Sequence, residues 1–203
     1  MRGFSALVLR GHGLKPLSLI LGLLPFLILV LKSYEGTLGS DPVETLTRET
    51  GIWALNCLWI VLFLTPLRRV TGWSALQRIR RTLGLLVFFY AVLHLLVYLI
   101  FDQFFDLKGI LEDVLKRPYI TAGFSAFLML IPLAWTSRDR LMRRMGRNWK
   151  NLHQLVYPSA LLGVLHYTWL VKKDLRDPLI YAGVLALLLI FRIRRLSAFW
   201  SKT

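Results

Sequence analysis

Of 203 residues, 56% are hydrophobic, and 26 are Lys or Arg against 11 Asp or Glu, a net charge of +15. A soluble nucleic-acid-binding protein with that charge would carry its basic residues along polar helix faces. Here they fall between long apolar blocks, which excludes nucleic acid as the partner and points to membrane lipid. The single cysteine, Cys57, excludes disulfides, thiolate metal sites and covalent c-type haem attachment.

Six uncharged runs follow one another along the chain: Pro16 to Leu31, Gly51 to Leu67, Thr82 to Phe101, Pro118 to Ser137, Asn151 to Val171 and Pro178 to Phe191. Crossing the hydrocarbon takes about 20 apolar residues. The four central runs meet that length. Snorkelling cations extend the outer two, Lys15 for the first and Arg192, Arg194 and Arg195 for the last. The runs predict helices over about 15–32, 51–68, 82–101, 118–137, 151–171 and 178–195. No cleavage pattern follows the first run, so it is read as a retained helix. No internal repeat stands out, and no stretch is long enough for a separate soluble domain. The expectation is one transmembrane domain over 1–203.

The connecting segments alternate in charge. Residues 1–15, 68–81, 138–150 and 192–203 carry net charges of +3, +5, +5 and +4, whereas 32–50, 102–117 and 172–177 carry −2, −1 and +1. Basic residues collect on the cytoplasmic side of short loops. Both termini are therefore expected in the cytoplasm, which an even number of spans also requires. Topology alone accounts for most of these arginines, though some could hold a cofactor carboxylate or phosphate. Asp41, Glu44, Glu112 and Asp113 are expected as exposed charges on the extracytoplasmic loops.

Four histidines occur, and only His12 lies clearly outside the runs. His94 falls in the outer half of the third run, where an imidazole needs either an interhelical hydrogen bond or a functional partner. The fifth run supplies His153 near its cytoplasmic start and His166 in its outer half. The third and fifth helices run in the same direction, so His94 and His166 should sit at similar depth, placed to ligate both axial positions of one haem iron. A bis-imidazole iron has no open position and suits electron transfer better than catalysis; no residue is assigned a catalytic role. His153 lies at about the level of Arg80, which stands where a second histidine would complete an inner haem site. A guanidinium offers no lone pair to iron but bonds carboxylates such as haem propionates. The alternative for His153 is an interfacial histidine near Trp149. Thirteen residues separate His153 from His166, which leaves them out of phase on a straight helix. Pro158 lies between them and is expected to kink or rewind the segment.

Several segments taken together resemble the MsrQ family, also called YedZ, within the ferric-reductase-like transmembrane group. They are Asp41-Pro42-Val43-Glu44, Thr50-Gly51-Ile52-Trp53-Ala54, Thr65-Pro66-Leu67-Arg68-Arg69, Arg80-Arg81-Thr82-Leu83-Gly84, Tyr90-Ala91-Val92-Leu93-His94, Arg117-Pro118-Tyr119-Ile120-Thr121, Pro132-Leu133-Ala134-Trp135-Thr136-Ser137, Asn151-Leu152-His153 and His166-Tyr167. The resemblance implies an all-α, ferric-reductase-like six-transmembrane-helix bundle in the bacterial inner membrane, carrying haem b, one or two per chain, and FMN. It also implies that electrons enter from the quinol pool or a cytosolic flavin reductase and leave to a periplasmic molybdenum-containing methionine sulfoxide reductase subunit, MsrP-like, which repairs oxidised proteins. The chain would then be the electron-transfer subunit of an oxidoreductase complex. Arg80 departs from the wider group, whose members carry two histidines on each of two helices. Two other readings stay open: a stand-alone quinol or ferric reductase, and a transporter lined by His94 and His166. No Asp or Glu lies inside any of the six runs, which disfavours an ion path.

Overall fold

The structure, a computed structural model, describes residues 13–171 and 174–200, the last nine as backbone only. His12 and the side chains of Arg192, Arg194 and Arg195 lie outside the described residues. Nine α-helices are seen among those described: α1 Leu14–Tyr34, α2 Pro42–Thr71, α3 Leu76–Val97, α4 Leu107–Lys116, α5 Pro118–Trp135, α6 Asp139–Met145, α7 Arg147–Leu152, α8 Val156–Leu170 and α9 Arg176–Trp200. A π turn, Tyr98–Asp102, prolongs α3, and a 3-10 turn, His153–Leu155, joins α7 to α8.

Four of these helices are long and apolar enough to cross a membrane: α1, α2, α3 with its π turn, and α5. With their apolar faces exposed along α1, at Ile20, Leu21, Leu24, Leu27 and Leu31, they describe a multi-pass membrane protein, since lipid, unlike water, solvates such faces at no cost. The tightest pairings are α2 with α3 and α5 with α8; α1 packs on α3, and α9 on α8 and α2. One core joins them, built from Leu55, Leu58 and Leu62 of α2, Leu86, Val87 and Tyr90 of α3, Leu130 and Leu133 of α5, Ala160 and Val164 of α8, and Leu185 and Leu188 of α9.

The helix limits depart from the expected ones where local chemistry intervenes. α2 starts at Pro42, well ahead of residue 51, because Asp41 caps it: its Oδ1 accepts from the Glu44 amide at 2.9 Å, with Pro42 pre-set for the first helical position. Asp41 and Glu44 thus serve the positive end of a helix dipole. Asp113 is not an exposed charge: it is buried, accepting from Tyr98 Oη at 3.0 Å and Gln103 Nε2 at 2.8 Å and pairing with Arg117 Nε at 3.0 Å. The fifth run is not one continuous α-helix. The break is the 3-10 turn at 153–155, and Pro158 follows it in the first turn of α8, where its missing N–H costs nothing. Thirteen residues of ideal α-helix leave two side chains about 140° apart; giving three of them the roughly 120° step of a 3-10 turn reduces this to about 80°.

Tyr90, fully buried, shows how strictly lipid requires backbone groups to be paired. Its hydroxyl donates to the Gly22 carbonyl at 2.7 Å and accepts from the Phe26 amide at 3.3 Å. Gly22 and Phe26 would bond each other in an unbroken helix, so the phenol is spliced into the ladder of α1 beside Pro25. Gly22 also lets α1 lie close against α3, since a Cβ there would collide with Leu86 Cδ1. Tyr90→Phe should lower stability by about 1–3 kcal/mol, the cost of leaving a buried backbone group unpaired. Thermal unfolding of the purified protein in detergent measures it.

Candidate functional site

Where the pairs α2–α3 and α5–α8 face one another, His94 of α3 and His166 of α8 meet. Their ring centroids are 5.9 Å apart, with planes at 80°. Each ring is held from behind in the same way. His94 Nδ1 lies 2.8 Å from the Thr47 carbonyl oxygen of α2, and His166 Nδ1 lies 2.7 Å from the Tyr119 carbonyl oxygen of α5. A carbonyl only accepts, so Nδ1 carries the proton in both rings. Each Nε2 keeps its lone pair.

A helix carbonyl already serves its own ladder, and a side chain four residues on normally covers its second lone pair. Here that position is glycine in both helices. A Cβ on Gly51 would stand 3.1 Å from His94 Nδ1 and Cε1, and one on Gly123 would stand 2.8 Å from His166 Nδ1 and 3.0 Å from its Cε1. The glycines open the notch through which each imidazole reaches the backbone. The steps Thr47 to Tyr119, Gly51 to Gly123 and His94 to His166 are all 72 residues. The two stations therefore repeat one another, although no repeat stands out in the sequence. Only the histidine and the glycine are identical between them, and the third element is a backbone atom that any residue supplies. Residue identity alone could not have marked Thr47 or Tyr119.

The pair has the spacing for two ligands on one metal. Imidazole–metal bonds of about 2 Å, with roughly 1 Å more from nitrogen to ring centre on each side, put the centroids of opposed ligands about 6 Å apart. Among the described residues no group of three or more His, Cys, Asp or Glu could hold a metal ion. A metal here would take its remaining ligands from a non-protein group, as an iron in a porphyrin does. An apolar groove of about 410 Å³ lies between α1, α2 and α3, lined by Phe26, Leu29, Leu46, Thr50, Leu93 and Val97 among others, and neither histidine lines it.

His153 sits at the other end of α5. Its ring stacks on Trp149, centroids 3.9 Å apart, and its Nε2 is 3.1 Å from Thr136 Oγ1. That hydroxyl donates to the Pro132 carbonyl at 2.6 Å, so it accepts from His153 Nε2, which leaves the lone pair on Nδ1. Trp149 Nε1 closes the cluster by donating to the Thr136 carbonyl at 3.0 Å. Arg80, half-buried on α3, is near enough for its charge to act on His153. Among the described residues it forms no ion pair. The neighbouring Arg81 does pair, with Asp139 at 2.5 Å, and holds that carboxyl below the usual carboxylate range. The structure thus brings His94 and His166 together and sets His153 and Arg80 apart from them, toward the basic end of the bundle. Both histidines of the fifth run face α5, one at each end.

Residues 50–164 match the family described as ferric reductase like transmembrane component. Similar proteins named "Protein-methionine-sulfoxide reductase heme-binding subunit MsrQ" include one from Xanthomonas campestris pv. campestris (strain B100), 55% identical over 166 residues, which are 79% of this chain and 74% of that protein. One from Xanthomonas axonopodis pv. citri is 52% identical over 83% of this chain and 78% of its own length. One from Herminiimonas arsenicoxydans is 47% identical over 93% and 85%. With identity of that order across most of its length, the chain belongs to the MsrQ family.

Proposed function

We propose that the chain is a haem b electron-transfer subunit of the bacterial inner membrane, passing electrons from cytoplasmic-side donors to a periplasmic methionine sulfoxide reductase. The observation that carries it is the pair of imidazoles 5.9 Å apart, each tied through Nδ1 to a backbone carbonyl. The haem-binding names of its relatives support the same reading. The arrangement proposed is one transmembrane domain over 1–203 with six spans, the last two formed by the 151–171 segment and α9, and with both termini cytoplasmic. The alternation of loop charge supports that orientation.

His94 and His166 would hold the iron of an outer haem through Nε2. The haem supplies one-electron transfer. The protein supplies the rest. The Thr47 and Tyr119 carbonyls fix the tautomer and the rotation of each ring, as outer partners of metal-bound histidines generally do. The apolar helices would exclude water from the group that His94 and His166 would hold. An inner haem would take His153 as its protein ligand, with Arg80 on a propionate. His153 would then exchange its Thr136 contact or coordinate through Nδ1. FMN, and quinol or a cytosolic flavin reductase as donor, belong to this proposal on family resemblance. So does a molybdenum-containing, MsrP-like acceptor.

Haem per chain and reduced-minus-oxidised spectra of the purified protein test the assignment. His94→Ala or His166→Ala should each abolish the outer haem, while His153→Ala should leave it in place and remove only an inner one. Arg80→Ala should weaken an inner haem without changing its ligand. Equal haem in all four variants overturns the scheme, and failure of the reduced protein to be reoxidised by the periplasmic reductase removes the acceptor.

The glycines give a graded prediction. Overpacking typically costs about 1–3 kcal/mol, so Gly123→Ala should weaken haem retention roughly 5- to 150-fold, and Gly51→Ala less, because its added Cβ has more room. Gly84→Ala, with open space around it, should leave both haem content and spectrum unchanged.

A further inference from the structure

α4 and the turn before it present apolar surface that the chain itself does not cover. Phe104 and Phe105 are 80% and 60% exposed, and Leu107, Leu111 and Leu115 are 80%, 60% and 75% exposed. The three leucines recur every four residues. At about 100° per residue they form one row within an arc of roughly 80°. Lys108, Glu112 and Lys116 form the next row, exposed and polar, with Glu112 and Lys116 paired at 2.8 Å. The remaining sector, with Ile110 half-buried and Asp113 buried, faces the protein. The helix thus has three sides: one against the bundle, one apolar, one charged.

This surface is held rigidly. Asp113 binds α4 to the π turn through Tyr98 and Gln103 and to the start of α5 through Arg117. Thr121 Oγ1 of α5 bonds the Val114 carbonyl. The two phenylalanines sit at φ of 47° and 60°, a left-handed backbone that bulky residues rarely adopt and that costs strain. Strain spent on holding two aromatic rings away from the bundle, followed by a row of outward leucines, calls for an apolar medium outside the chain.

We propose that α4 lies in the membrane interface, its Leu107–Leu111–Leu115 row and the adjoining Phe104–Phe105 turn seated among lipid acyl chains and its Lys108–Glu112–Lys116 row in the headgroup water. The occupant is lipid because of continuity: α4 follows α3 and its π turn after residues 103–106 and is separated from α5 by Arg117 alone, and both of those helices are long and apolar enough to span. It therefore starts and ends where those helices leave the hydrocarbon. Adjacent apolar and charged rows with lysines bordering the leucines are the pattern of helices lying in that plane. A docked protein would have to be matched to a surface that the bilayer already reaches. Because Tyr119, whose carbonyl holds His166, lies two residues beyond Arg117, lipid seating would also brace that end of the bundle.

Site-directed nitroxide labelling of the full chain in lipid nanodiscs tests the proposal. Leu111→Cys, Leu115→Cys and Glu112→Cys would be labelled singly in a Cys57→Ala background, with Leu21→Cys on the lipid face of α1 as reference, and relaxation by oxygen compared with relaxation by a water-soluble nickel chelate. The labels at 111 and 115 should show an oxygen-to-nickel ratio several-fold above that at 112 and approaching that at 21. Equal ratios at 111, 112 and 115 would mean the leucine row stands in water and would overturn the proposal. Exclusion of both reagents at 111 and 115 would overturn it differently, showing another protein surface on the row.

Discussion

A backbone carbonyl inside a helix has two lone pairs and needs only one for its own ladder. The centre of this protein depends on that surplus. In lipid, an imidazole cannot be oriented by water and is too costly to leave unpaired, so each ring must find an acceptor that is itself immobile. The Thr47 and Tyr119 carbonyls are as immobile as the helices that carry them, and at 2.8 and 2.7 Å they bind one nitrogen of each ring and free the other. A side-chain acceptor would add rotamers of its own. A carboxylate would add a charge that the membrane penalises.

That arrangement makes demands on packing. The ring must come close enough to the neighbouring helix to reach its backbone, which is possible only where the residue one turn on has no side chain. Gly51 and Gly123 are therefore part of the site without offering any functional group. The tight pairings of α2 with α3 and α5 with α8 follow from the same approach. Each pair is a complete holder for one imidazole. Assembly of the two pairs around the common core then brings the ring centroids to 5.9 Å, a spacing that suits a single metal.

Elsewhere the helices are irregular, and in each place something takes up the freed backbone. The Tyr90 hydroxyl fills the gap in α1 beside Pro25. A π turn ends α3, and Asp113 gathers the groups that follow it. A 3-10 turn separates α7 from α8 and swings His153 toward Thr136. The irregularities are what allow one apolar run to present His153 and His166 to the same neighbour, α5, at opposite ends.

Much was legible in the residues alone. Apolar runs bounded by charge, no acidic residue within a run and His94 and His166 at matching depth follow from the cost of burying charge in hydrocarbon, which composition reports directly. The position of Asp113 was not legible, because whether a carboxylate is exposed depends on which donors the fold brings to it. Nor were the early start of α2, the turn at His153, or the carbonyl and glycine behind each ring. A backbone atom carries no residue identity, and a glycine becomes informative only when something approaches it. One-dimensional pattern determined that the chain crosses lipid and that His94 and His166 lie at matching height along the bundle. Only the tertiary structure decided which way those rings turn and what holds them, because rotation about a helix axis is set by neighbouring helices rather than by the segment itself.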